Sequence, residues 1–311
     1  FSDNLPSIQG PSNSQGSSQS SKSIAENTTA VHTFSSSTSS TWAIAGGADS
    51  SKFNINSSTG VLSFKVAPDY EVPTDYDSNN TYEVIVSTTH SSNTSYQTLT
   101  VSVTDVNEAP SLTGDYSASM NEAASYPLTP SDIYFTDVDD TASNVTFTAS
   151  SLVNGSILVN GSSSSTFTGT DINNDNVKFV HDDSETTSAS FDIFVEDGNE
   201  DSSIPATQNI SITVTPVNDP PVLTGDFTLG VFKGQEITFN WMYDLFFTDL
   251  DDADADVTFT ATSITQGSIK VNDSIASTFT GADLKSGLVK FVHDGSNTTS
   301  AYFDVSVEDG N

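Results

Sequence analysis

Apolar residues recur at every second position through most of the chain. Val61, Ser63 and Lys65 alternate with Leu62, Phe64 and Val66. Tyr82, Val84 and Val86 fall on one face, as do Leu99, Val101 and Val103. The pattern continues in Val145, Phe147 and Ala149, in Phe191, Ile193 and Val195, and in Ile210, Ile212 and Val214. Extended backbone turns successive side chains to opposite sides, so these runs predict half-buried β-strands. Gly, Asn, Asp and Ser between them supply the turns. No window carries a helical stripe. Residues 1–22 are rich in Ser, Gln, Asn and Gly and hold no sustained period; they read as a linker or leading arm with a short strand near 5–8.

The strands repeat as a set. Phe-Thr-Asp-Val-Asp-Asp at 135–140 returns 112 residues later as Phe-Thr-Asp-Leu-Asp-Asp at 247–252. Thr166 to Gly169 returns as Thr278 to Gly281, Lys178 to Asp182 as Lys290 to Asp294, and Val195 to Asn199 as Val307 to Asn311. A fixed period means tandem units, and this length suits one β-sandwich each. Proline-bearing junctions stand at Asn107-Glu108-Ala109-Pro110 and Asn218-Asp219-Pro220-Pro221, where proline stops a ladder. The predicted layout is an arm over 1–22 and all-β sandwiches over 23–110, 111–221 and 222–311. The segment 204–217 has no counterpart after Asn311, so the third sandwich is expected to lack its last strand. Either the sequence stops where that strand begins, or a neighbouring molecule donates one.

Charge changes the picture most. The 311 residues include 41 acidic and 8 basic ones, for a net charge of −33. That excludes nucleic acid and anionic membrane as default partners. It also makes the folded chain repel itself unless something neutralises it, and oxygen-rich side chains favour hard divalent cations. Cysteine is absent, so disulfides cannot staple the fold. No apolar stretch approaches a membrane span and no signal peptide stands at Phe1; the chain reads as a mature or excised piece of an exported surface protein.

The acids cluster at the junctions. Glu26, Asp69, Glu71, Asp105, Asn107 and Glu108 come from the first unit, and Asp137, Asp139 and Asp140 open the second. At the next junction the expected set is Glu122, Asp197, Asn218 and Asp219, then Asp249, Asp251 and Asp252. Asp-x-Asp in extended backbone puts two carboxylates on one side. A solvated acidic loop is the ordinary fate of such runs; recurrence at each junction beside Asn-acid-x-Pro favours Ca²⁺ ligation instead.

Residues 23–110 resemble a cadherin repeat. The resemblance is carried by Ala25-Glu26-Asn27, by Phe53-x-Ile55 with Thr59-Gly60-x-Leu62, by Asp69-Tyr70-Glu71, and by Asp105-Val106-Asn107-Glu108-Ala109-Pro110. It implies calcium ligation by Glu26, Asp69, Glu71, Asp105 and Asn107. The chain departs from the pattern with the serine run 35–37, where cadherins carry an internal Asp-x-Asp. The later units resemble the cadherin-like repeat of chondroitin sulfate proteoglycan and bacterial surface adhesins, through Phe167-Thr168-x-x-Asp171-Ile172, Val177-x-Phe179-Val180-His181-Asp182 and Asp197-Gly198, and their counterparts from Phe279 to Gly310. The third unit departs at Phe232-Lys233-Gly234, where the second has Asn121-Glu122. Together these resemblances imply immunoglobulin-like sandwiches end to end, calcium at the linkers, and an adhesive or architectural role.

Other residues change less. The repeated His181-Asp182 and His293-Asp294 could orient a base or hold zinc, but no nucleophile or zinc-protease motif accompanies them, and a repeated structural hydrogen bond is the expectation. Trp42 reads as the buried tryptophan of the first sandwich, and Trp241 within Trp241-Met242-Tyr243 as packing against the second unit or contacting a ligand. Asn-x-Ser/Thr sequons stand at Asn27, Asn56, Asn79, Asn93, Asn144, Asn154, Asn160, Asn209, Asn272 and Asn297, each a potential glycosylation site. The expected function is a calcium-stiffened extracellular segment of an adhesin, filament or surface-layer protein rather than an enzyme, partnered by itself or by neighbouring domains. The alternatives are a glycan- or protein-binding module, an accessory region of a secreted hydrolase, and a filament subunit completed by a donated strand.

Overall fold

The computed structural model describes residues 5–12, 14–198 and 205–310. The chain divides into two compact units, one of residues 1–111, 135–146 and 195–205, the other of 112–134, 147–194 and 206–311.

The first unit holds a two-layer sandwich. One sheet runs Gln19–Ala25, Asn93–Thr104, Thr81–His90, Thr41–Gly46; the other runs Ala30–Thr33, Val61–Phe64, Phe53–Ile55. The inward residues of the alternating runs close the core: Tyr82, Val84, Val86, Leu99 and Val101 are buried with Phe53, Leu62 and Trp42. Phe64 and Tyr82 meet edge to face at 4.9 Å. Gly60 has φ +70°, and a Cβ there would lie 2.9 Å from the Trp42 ring, so the tryptophan seats only over glycine. The leading arm is part of this sandwich. Ile8 is buried in the core, the short strand forms at Ile8–Gln9 against Ser35–Ser36, and the alternation starts at Gln19, earlier than the expected Ser23. Buried Gln97 ties the arm down, its Nε2 donating to the Ser17 carbonyl and its Oε1 accepting from Ser20 Oγ. Residues 1–4 lie outside the described residues.

The second unit holds most of the two remaining repeats. The five-stranded sheet runs Ser117–Asn121, Gln208–Thr215, Ser188–Glu196, Thr146–Val153, Thr166–Thr168, with a four-stranded sheet of Ser125–Pro127, Val177–His181, Gly155–Val159, Ser162–Ser163. The next repeat builds the same four-stranded sheet from Glu236–Thr238, Val289–His293, Gly267–Val271 and Ser274–Ile275. Its other sheet has three strands only: Thr278–Thr280, Thr258–Thr265, Tyr302–Glu308. The repeated phenylalanines are core. Phe147 stacks on Phe167 at 5.5 Å, and Phe259 on Phe279 at 5.0 Å.

Among the described residues two single-turn α-helices, Gly169–Asn173 and Gly281–Lys285, and a 3₁₀ turn at Ser50–Lys52 interrupt the β architecture. Five residues are too few for a hydrophobic stripe to register. Their signature is a capping box: Thr168 Oγ1 accepts from the Asp171 N–H while the Asp171 carboxylate accepts from Thr168, and Thr280 with Asp283 does the same.

The three-stranded sheet leaves an open edge. Phe191 and Ile193 are fully buried, whereas their counterparts Phe303 and Val305 are half-buried. A groove of about 490 Å³ lies along this face, lined by Leu229, Val231, Phe239, Phe291, Phe303 and Val305 among others. The segment 226–233, equivalent to Ser117–Asn121, carries no strand. In the preceding repeat Ser117–Asn121 is an edge strand that pairs only with Gln208–Thr215.

Candidate functional site: two acidic seams

The first two sandwiches are each closed by a parallel pair that also aims a glutamate. In the first unit, Gln19–Ala25 runs beside Asn93–Thr104, and the next residue, Glu26, is 2 % exposed. Its Oε1 accepts the Val106 N–H at 2.9 Å and its Oε2 the Tyr70 N–H at 2.7 Å. The carboxylate thereby fixes the linker 105–110 and the loop bearing Glu71. Around it stand Glu71, Glu108, Asp105 and Asp139: oxygens of Glu26, Glu71 and Glu108 lie within 4.8 Å of one another, as do those of Glu71, Asp105 and Asp139. Asp139 Oδ2 accepts the Glu108 N–H at 2.8 Å, and Asp137 Oδ1 accepts from the N–H groups of Asp139 and Asp140. Asn107 Nδ2 donates to Asp197 Oδ2 at 2.8 Å. All of these residues belong to the first unit.

The second unit repeats the arrangement. Glu122 follows Ser117–Asn121, is 4 % exposed, and accepts the Val217 N–H through Oε2 at 3.0 Å. Asp219 N–H donates to Asp251. Asp249 Oδ1 accepts from the N–H groups of Asp251 and Asp252, and Asn218 Nδ2 donates to Asp309 at 2.7 Å. The close acidic groups are Glu122, Glu185 and Asp251, and Asp249, Asp252 and Asp309.

Like charge and burial work against ionisation here. Burial, with the charges of Glu26, Asp139 and Asp105, pushes the Glu71 carboxyl up to about 7. Burial and the charges of Glu26 and Asp139 raise Glu108. A hydrogen bond shared with Asp251, then burial and the charges of Asp251 and Glu122, push Glu185 up to about 7. Burial raises Asp219 and Asp252, helped by neighbouring aspartates. Several buried carboxylate oxygens accept no hydrogen bond: Glu108 Oε2 and Asp137 Oδ2 in the first seam, and Glu122 Oε1, Asp249 Oδ2 and Asp252 Oδ2 in the second. Unpartnered anionic oxygens grouped in this way fit a hard divalent cation, which takes six to eight oxygens.

Most expected residues meet as expected by position. Asp69 does not join them: it is exposed and its Oδ1 accepts the Val72 N–H at 2.8 Å. Asp197 stands in the first seam, not the second. It ends the strand Ser188–Glu196, which runs antiparallel to the closing strand Gln208–Thr215, so it points away from the linker that the closing strand feeds. The same geometry brings in two residues the sequence reading missed. Asp309 is the counterpart of Asp197 one period on, and Glu185 precedes Ser188–Glu196 at the end that faces the second linker.

The histidines also differ from expectation. Buried His181 pairs through Nε2 with Thr186 Oγ1 at 3.1 Å, while Asp182 accepts from Ser184. His293 Nδ1 accepts the Gly295 N–H at 3.0 Å and stands 3.6 Å from Asp294. Both sit among the strands and turns of their own repeat. Trp241 packs within its own sandwich, against Phe246 and beneath Lys285 at 5.6 Å. Met242 and Tyr243 are exposed. Eight of the ten sequon asparagines are exposed; Asn93 and Asn154 are half-buried.

With that geometry established, known proteins provide the frame. The cadherin-like family matches residues 110–214 and 221–311. The chain belongs to the cadherin-like family. Chondroitin sulfate proteoglycan 4 of Mus musculus is 34 % identical over 146 residues, 46 % of this chain and 6 % of the relative. The extracellular matrix organizing protein FRAS1 of Homo sapiens is 31 % identical over 153 residues, 47 % of this chain and 4 % of the relative. The chain therefore spans a small fraction of the length of the curated relatives it matches. Among solved structures, protocadherin gammaB7 EC3-6, determined as a cis-dimer, covers 99 % of this chain and is itself covered over 70 %, with a TM-score of 0.53 at 15 % identity. Mouse cadherin-23 EC22-24 covers 99 % and is covered over 94 %, with a TM-score of 0.51 at 13 % identity. These share the fold: tandem cadherin-like β-sandwiches. FRAS1 is by name an extracellular matrix protein, and this chain is an extracellular or cell-surface segment of tandem cadherin-like repeats. Among the described residues no helix is long and apolar enough to cross a membrane.

Proposed function

We propose that the chain is a structural and adhesive spacer whose repeats are stiffened by Ca²⁺ bound in the two acidic seams, with domain boundaries near 110 and 221. Glu26, Glu71, Asp105, Asn107, Glu108, Asp137, Asp139, Asp140 and Asp197 would hold cations in the first seam. Glu122, Glu185, Asn218, Asp219, Asp249, Asp251, Asp252 and Asp309 would do so in the second. The supporting observation is the set of buried carboxylate oxygens without donors, packed among like charges. A bound cation supplies the countercharge and joins residues of linker, loop and following repeat to one centre. The protein's own part is positional: Glu26 and Glu122 clamp the linker backbone, and Asp137 and Asp249 hold the Asp-x-Asp-Asp turns in shape. The ion binds the folded seam and not the unfolded chain, so it also adds stability. Partners on this reading are neighbouring domains of a longer chain or another copy.

The test is thermal melting and small-angle scattering of the chain in chelator, then in millimolar Ca²⁺, with Mg²⁺ as control. Calcium raises the melting temperature and narrows the distribution of interdomain distances. Melting and scattering that are indifferent to calcium would refute the reading.

A further inference from the structure

Aligned on their linkers, the two seams correspond residue for residue. Thr104 matches Thr215, Val106 matches Val217, Asn107 matches Asn218 and Glu108 matches Asp219. Asp105 has no acidic counterpart, because Pro216 occupies its place. We propose that Pro216 makes the second seam the weaker of two unequal divalent-cation sites, so that the two seams fill at different calcium concentrations. This rests on the calcium reading above.

Three observations carry it. Asp105 belongs to the group with Glu71 and Asp139, and Glu71 also belongs to the group with Glu26 and Glu108. One glutamate thus links five carboxylates into a continuous donor set. In the second seam the groups Glu122, Glu185, Asp251 and Asp249, Asp252, Asp309 share no member. Affinity for calcium is tuned by the number of charged ligands that converge on one ion and by site rigidity; the five carboxylates of the first seam form one linked set, whereas the six of the second are split into two groups of three. Glu26 is held by two N–H donors, which fix the orientation of both its oxygens. Glu122 is held by one, leaving more orientational freedom. The second seam is nevertheless a site, because Glu122 is more than nine-tenths buried and its Oε1 accepts nothing.

The experiment is isothermal titration of the whole chain with CaCl₂ after chelation, with far-ultraviolet circular dichroism to confirm folding. The wild type gives two classes of site separated by about tenfold or more. Pro216→Asp strengthens the weaker class and closes most of the gap. Pro216→Ala, which removes the ring without adding a carboxylate, leaves the gap in place. Asp105→Asn weakens the tighter class alone, and it keeps the proposal testable should Pro216→Asp fail to fold. A single class in the wild type, or a Pro216→Asp protein that folds with its gap unchanged, overturns the proposal while the calcium reading stands. No calcium heat in any variant overturns the calcium reading itself.

Discussion

The two seams are built on one backbone plan yet hold their anchor glutamates differently. In each, a parallel pair of strands ends in a buried glutamate, an Asn-acid-x-Pro linker follows, and an Asp-x-Asp-Asp turn closes over it. Glu26 satisfies both oxygens with the N–H groups of Val106 and Tyr70. Glu122 satisfies one, and three buried carboxylate oxygens in its seam lack a donor, against two in the first. The shared frame follows from hydrogen bonds to backbone, which depend on register and turn type. The difference arises where a separate loop must bring a further N–H donor, as the loop bearing Tyr70 does for Glu26, and those loops diverge between repeats.

The largest effect should come from the cation itself. Removing calcium from both seams should lower melting by on the order of 10 °C, since a ligand at a hundredfold excess over its dissociation constant adds about 3 kcal/mol per site. Calorimetry in chelator and in calcium measures it. Next, in chelator, Glu26→Ala should cost about 2–4 kcal/mol, because it strips two partly buried N–H groups of their acceptor, and Glu122→Ala about 1–2 kcal/mol. Denaturant titration compares them; equal losses would break the contrast between the anchors. Smaller is the pH response. Glu71 and Glu185 have folded pKa values near 7, above the ordinary 4.5. The folded state therefore binds protons that the unfolded state has released, and stability falls as pH rises from about 4.5 to 7. In chelator the chain should melt higher at pH 5 than at pH 7.5, and saturating calcium should remove or invert that order. Smallest is a single neutralisation: Glu71→Gln in chelator at pH 7.5 should raise melting by about a degree or two by relieving repulsion from Glu26, Asp139 and Asp105. The same change should weaken calcium binding in the first seam, seen by titration.

The period-two pattern and the 112-residue repeat make the strands and core phenylalanines legible in sequence, and the linker acids declare themselves through Asn-acid-x-Pro. Asp197 does not, because its place depends on the strand before it running away from the linker, which only topology determines. Glu185 is hidden for the same reason: nothing in Asp183-Ser184-Glu185 marks it as facing Glu122. The helix turns after Thr168 and Thr280 were visible as Thr-x-x-Asp but too short to show a period. Trp241 could be recognised as unusual, while its partner Lys285 comes from a helix turn some forty residues on.

The parallel pairing that aims each glutamate also decides how these repeats answer a pull. Seven residue pairs join Gln19–Ala25 to Asn93–Thr104, and five join Ser117–Asn121 to Gln208–Thr215. Force applied along such a ladder loads its bonds side by side, and they must rupture together instead of unzipping singly. Under tension these two ladders are the mechanical clamps of the first two sandwiches.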